Sequence, residues 1–211
     1  MGADSYERMT GGEAPRRAAR KTPEHPRRVA ADRILRAAVR RVVVSGVADL
    51  TMQQVAEEAD VSKGLIHYHF HDKETLLARA VEWMTGGIAA REHAALLLST
   101  AATAFDDLWS WLDEELDRGE IRVLIELGGS RETLVGAAVR ASIAARRDSA
   151  SATVERLFSL LGLKLRIPAP MLADVVVAFT DGLAVSVSLD HKRNPREAFN
   201  VFWLSLLSLV E

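Results

Sequence analysis

The chain contains no cysteine. That excludes a disulfide framework, a thiolate zinc site and a cysteine nucleophile, and it fits a reducing compartment. No apolar run reads as long enough to cross a bilayer, and the N-terminus is polar and arginine-rich rather than signal-like. The expectation is a soluble, cytoplasmic protein with no membrane partner. The formal net charge is only −2, so bulk charge does not announce a nucleic-acid binder. Period-two alternation is almost absent, which leaves little room for strands. Catalytic signatures are missing as well. No paired carboxylates, Ser/His/Asp arrangement, phosphate loop or metal motif occurs at credible spacing, so the chain does not read as an enzyme.

What is present is apolar residue in quantity, 48% of 211 residues. That is enough for one large domain or two small ones to fold without metal or disulfide. Charge is also unevenly placed. Arg16, Arg17, Arg20, Lys21, Arg27 and Arg28 face only Glu24, and Arg33, Arg36, Arg40 and Arg41 follow. Further on, Asp106, Asp107, Asp113, Glu114, Glu115 and Asp117 form an acidic block. Such a division suits a protein that touches DNA with one end. Composition alone fits a solvated tail and solvated helix faces equally well.

Residues 1–26 are rich in Gly, Pro, Arg and Ala without apolar periodicity and read as a disordered basic tail. From about Arg27 the chain reads as helix after helix. Ile34, Leu35, Ala38, Val39, Val42 and Val43 form one stripe, with Gly46 as its stop. Thr51 and Gln54 have capping-box spacing. Asp60 and Val61 make a tight turn, Ser62 caps a helix to about Phe70, and Asp72 caps the next. Gly86 and Gly87 interrupt that fourth helix as a candidate flex point. Later helices follow from Phe105 to Leu116, from Glu120 to Gly128, and from Ser130 to about Gly162. Pro168 and Pro170 mark the start of the eighth, and Asn194, Pro195 and Glu197 the start of the ninth. The reading is an all-α fold of about nine helices: a tail (1–26), a helix-turn-helix DNA-binding domain (27–73), and a larger ligand-binding and dimerisation domain (74–211).

The informative stretch runs from Leu50 to Leu77: LTMQQVAEEADVSKGLIHYHFHDKETLL. It describes two short helices joined by a tight turn, with small Ala56 at the crossing and a small, polar first turn at Ser62, Lys63 and Gly64. Such a turn suits the major groove. Thr51, Val55, Ala56, Ala59, Val61, Ser62, Gly64, Ile66, Phe70, Lys73 and Leu76 stand in the pattern of the TetR-like family of transcriptional regulators, which this stretch resembles. It departs from that pattern in two places: Asp60 stands where the family has a turn glycine, and His67 where it has a tyrosine. Asp tolerates positive φ at modest cost.

The resemblance implies roles for individual residues. Thr51 and Gln53 approach the DNA backbone, Lys63, Gly64 and Leu65 face base edges, His67, Tyr68 and His69 line the groove wall, and Lys73 pairs with a phosphate. Lys63 is suited to guanine and Leu65 to a thymine methyl. The basic tail is open to two readings, a DNA-contacting arm or a solvated segment. His67 and His71 lie one turn apart, but no carboxylate-rich surround accompanies them, so no metal and no cofactor is expected.

Trp83, Met84, Phe105, Trp109, Leu112, Ile125, Phe179 and Leu183 are candidates to line a ligand cavity, the alternative being ordinary core. Glu126, Asp181, Arg146 and His93 are candidate polar anchors. The eighth helix is apolar nearly all round and the ninth has a wide aromatic stripe. Paired with the same helices of a second copy they would form a four-helix bundle, which the resemblance also implies. The expected partners are therefore a double-stranded DNA operator, a small hydrophobic effector and a second copy of the chain. The expected function is a repressor released by its effector. A transcriptional activator of the same fold, or a helical ligand-binding protein without DNA binding, stays open.

Overall fold

In the N-terminal third, side chains set the helix starts. The computed structural model describes residues 24–130, 133–190, 192 and 194–209, with side chains from Arg27 onward. The Arg16, Arg17, Arg20 and Lys21 part of the basic tail lies outside them. Helix α1 (Glu24–Ser45) starts about one turn earlier than its periodicity suggests and stops at Gly46, whose φ of 80° is left-handed. Thr51 caps α2 (Met52–Glu58) in a full capping box with Gln54. Ser62 caps α3 (Lys63–His69) by accepting from Leu65 N, and Asp72 caps α4 (Lys73–Ala95) by accepting from Thr75 N. Asp60 is the one non-glycine described residue with positive φ, 50°. The turn holds because Arg33 donates to the Asp60 carbonyl from α1. Ile34, Val55, Ile66, Leu76 and Val81 have no exposed surface and knit α1 to α4 together.

The C-terminal part adds α5 (Ala104–Arg118), α6 (Glu120–Gly128), α7 (Thr133–Leu160), α8 (Ala169–Leu189) and α9 (Pro195–Leu206), closed by a single 3₁₀ turn. Among the described residues there are nine α-helices and no strand. Asn194 caps α9 and Pro195 occupies its first position, as the sequence predicts. Helices α4 and α7 run parallel. Thr85 meets Ser142 and Glu92 meets Ser149 with the same offset of 57 residues, and Glu74 at the start of α4 accepts from Leu134 N in the first turn of α7. That last contact puts a carboxylate where a helix leaves its amides unpaired.

Two readings change. Helix α4 runs without interruption through Gly86 and Gly87. A side chain at Gly87 would come within 2.9 Å of the Arg91 guanidinium, so this glycine makes room for Arg91. Helix α8 is also apolar and long enough, by length and composition, to cross a membrane, with a mean hydropathy of 1.7. Its Leu172, Ala173, Val176 and Leu183 are buried in the core. Asp174 and Asp181 interrupt the run and pair with Arg147 and Arg146 of α7.

Candidate nucleic-acid interface and ligand cavity

The outer face of α2 and α3 carries most of the residues singled out for DNA. Thr51, Gln53, Lys63, Gly64, His67 and Tyr68 are exposed, while Leu65, His69 and Lys73 are half-buried. Ile66 and Phe70, on the opposite side of α3, are buried. The first turn of α3 therefore faces outward. Packing does not account for Gly64, because a methyl there would meet nothing of its own protein nearer than Ser62 Oγ at 3.9 Å. Several of these side chains are already engaged. Thr51 Oγ1 serves the α2 cap, Gln53 donates to Glu57 at 2.8 Å, and the His67 ring contacts the His71 carbonyl at 3.1 Å. Arg27 lies over the Tyr68 ring at 5.7 Å, tying the start of α1 to α3. Asp72 accepts from Thr75, which holds its carboxyl below the ordinary range.

Lys73 occupies a place other than the expected phosphate contact. Its Nζ donates to the carbonyls of Val47 at 3.0 Å and Ala48 at 3.4 Å. Both carbonyls belong to the loop after α1, where Val47 O also accepts from Leu50 N at 3.3 Å. Lys73 thus fastens α4 to the loop after α1.

The aromatic set expected around a cavity is mostly packed elsewhere. Phe105 and Trp109 meet Trp203 and Phe199 of α9 edge-on, and Phe179 stacks on Phe202 at 4.0 Å. Met84, Leu112 and Leu183 are buried in the core, and Ile125 packs against it. Trp83 lines a groove of about 610 Å³ beside α1 with Arg36, Arg40, Arg91 and Arg118. The polar anchors fare differently. Glu126 accepts from Val47 N just past the end of α1. Arg146 lines an inner cavity of about 20 Å³ enclosed by Ile88, Glu92, Trp111, Val176 and Thr180, and Asp181 holds that arginine. His93 lines an adjoining cleft of about 430 Å³ between α4 and α7, with Leu97, Thr153 and Arg156. Glu92 and Ser149 belong to both spaces.

Comparison with known proteins bears on both regions. Residues 34–80 match the model of the bacterial regulatory proteins of the tetR family, the span from the core of α1 to the first turns of α4. Over that span the chain is similar to the TetR-like transcriptional regulators. It is 29% identical over 177 residues to an uncharacterised helix-turn-helix-type transcriptional regulator of Mycobacterium bovis, spanning 77% of this chain and 91% of that protein. Two solved structures share its fold. One is the regulatory protein TetR from Rhodobacter sphaeroides, with a TM-score of 0.68 and 16% identity over 82% of this chain and 96% of that one. The other is a transcriptional regulator from a Rhodococcus species, with a TM-score of 0.68 and 22% identity over 85% and 97%.

Sequence reasoning missed how the chain joins its two parts. Arg122 of α6 donates to the Val43 carbonyl at 2.7 Å, and Glu126 receives Val47 N at 3.1 Å, so α6 grips the last turn of α1. Gly119, with φ of 69°, lets the turn between α5 and α6 pass close to Val43. Arg91 bridges the buried Glu115 and Glu120, and its hydrogen bonds to Glu115 hold its proton more firmly than usual. Burial pushes the Glu92 and Glu120 carboxyls upward. Glu92 was overlooked because it continues the buried stripe of Val81, Thr85 and Ile88. A carboxylate in register with an apolar stripe was the available signal.

Proposed function

We propose that the chain is a homodimeric repressor that holds a palindromic operator with α3 and releases it when a small hydrophobic ligand enters the domain built from α4 to α8. The outward first turn of α3 carries this reading: Lys63 is exposed, and Gly64 is small for no reason internal to the protein. A backbone that must approach a base edge closely supplies that reason. Lys63, Gly64 and Leu65 then read bases, Gln53, Thr51 and Tyr68 approach phosphates, and His67 and His69 flank the groove. Lys73 positions the head rather than contacting DNA. Work on DNA puts the regulator in the cytoplasm.

Dimerisation is supported by apolar surface left uncovered in a single copy. Met171, Val175 and Leu189 of α8 and Val201 and Leu204 of α9 are exposed, Leu189 at 81%. Pairing these helices with those of a second copy buries them and sets two α3 helices roughly 34–36 Å apart, or a multiple of that, as a palindromic site requires. A ligand that binds better when α4 and α6 are displaced shifts the head through Lys73 and the α6 grip on α1. Differential affinity for the two states is the only source of that shift.

The test uses duplexes selected from a random pool by the purified full chain. Lys63→Ala should weaken binding by roughly tenfold to a hundredfold in a fluorescence anisotropy titration, as the loss of a base contact does. The melting temperature should stay as in the parent. Undiminished binding by that variant refutes the assignment of α3 as the reading helix.

A further inference from the structure

Glu92 is 5% exposed, on the wall shared by the inner cavity and the outer cleft. Its hydrogen-bond donors are hydroxyls, Ser149 and Thr153. Among the described residues no ion pair of Glu92 is seen. Arg91 serves Glu115 and Glu120, and Arg146, which acts on Glu92 only at a distance, serves Asp181. Arg156 and His93 line the outer cleft with Glu92. A buried carboxylate with only neutral donors is costly as an anion, and burial accordingly raises its pKa. A second residue of the cavity wall also carries a polar group. The Trp111 indole N–H is buried without a hydrogen-bond partner among the described residues. Buried donors of this kind ordinarily find an acceptor. The inner wall also carries Arg146, Ser149 and Thr180 beside the apolar Ile88, Ile121, Val176 and Val177.

A buried carboxylate without an ion-pair partner, on the wall of a cleft of about 430 Å³, defines a ligand. We infer that the outer cleft beside Glu92 binds an organic amine, protonated at neutral pH, whose ammonium pairs with Glu92 and whose compact body lies in the cleft. This deepens the proposed function and rests on its ligand-release reading for any effect on DNA. The outer cleft admits the molecule past Leu97, and its volume of about 430 Å³ is that of a small-ligand site.

Three probes of one shape and different charge test the inference: phenoxypropylamine, phenoxypropanol and phenoxypropanoate. Each is titrated calorimetrically into the full-length parent and into Glu92→Gln. The amine should bind the parent at least roughly tenfold tighter than the alcohol or the carboxylate, the span of a charge-assisted hydrogen bond. Glu92→Gln should bring the amine down to the level of the alcohol while leaving the alcohol unchanged. Equal binding of the three probes by the parent, preference for the carboxylate, or no binding of the amine at millimolar concentration overturns the site. The ranking on the parent decides even if the variant fails to fold. Release of selected duplex DNA is followed in parallel. Glu92-dependent amine binding without DNA release keeps the site and refutes effector release. Release by the alcohol and the amine alike refutes the site and keeps effector release.

Discussion

The head, α1 to α3 with the start of α4, and the domain that follows are built on opposite plans. In the head the described buried residues are apolar, and polar side chains lie outside. From Thr85 onward the interior takes in Thr85, Glu92, Glu115, Glu120, Ser142, Arg146, Thr153 and Thr180, while Leu98, Met171, Leu189, Val201 and Leu204 stay outside. An apolar interior packs into one arrangement and leaves the surface to do the work. A polar interior is costly unless every group is answered. The proposed function accounts for the polar interior and the exposed apolar face, as a ligand recognised inside and a second copy that covers that face. On that proposal the head reads outward and the larger domain inward.

The contrast breaks most visibly at Arg91. Replacing it with alanine strands Glu120 and leaves Glu115 only the more distant Arg118. The loss should be about 3 kcal/mol, the low end for a broken buried pair because Arg91 itself is partly exposed. Urea unfolding measures it. A loss below about 1 kcal/mol, the size of an exposed pair, would mean that this interior is wetter than described.

A smaller effect is expected where the head meets the other domain. Lys73→Ala should cost about 1–2 kcal/mol, the worth of a charged donor on the Val47 and Ala48 carbonyls. Lys63→Ala should leave stability where it was. If the two variants lose equal stability, or Lys73→Ala loses only DNA affinity, the distinction between fastening and reading fails.

The smallest effect is a matter of sign with pH. Burial raises the Glu92 carboxyl, so above the ordinary value of 4.5 the folded chain holds a proton that the unfolded chain releases. This contribution is fully present below that value and is lost as pH rises through the folded pKa. Asp72 behaves in the opposite way. Its lowered pKa contributes stability above the ordinary value of 3.8, which is lost as pH falls through the folded pKa. Unfolding of Glu92→Gln across pH should show the falling limb reduced, with Glu120 supplying what remains. Asp72→Asn should reduce the acid limb. The same slope in the parent and in Glu92→Gln would count against burial as the cause.

Much of the head was legible before any fold was known. Thr51 with Gln54, Ser62, Asp72 and Gly46 each act on backbone groups within a turn of themselves, so their meaning survives without neighbours. Asp60 was legible for the same reason. The cavity was not. Large aromatic residues were expected to line it, but Phe105, Trp109 and Phe179 find α9, a meeting that no local pattern encodes. Of the anchors, Arg146 and His93 reach the two spaces, whereas Glu126 turns to α1.

Taken by itself, the order of residues determined the all-helical class, most helix starts and stops, and the exposed turn of α3, because caps and 3.6-residue stripes are short-range effects. Tertiary packing decided that Lys73 fastens the loop after α1, that Arg122 holds the last turn of α1, and that Glu92 stands between two cavities. Those outcomes depend on residues far apart in the chain, 57 for Glu92 and Ser149 and 79 for Arg122 and Val43. Only the way whole helices fit against one another selects such partners.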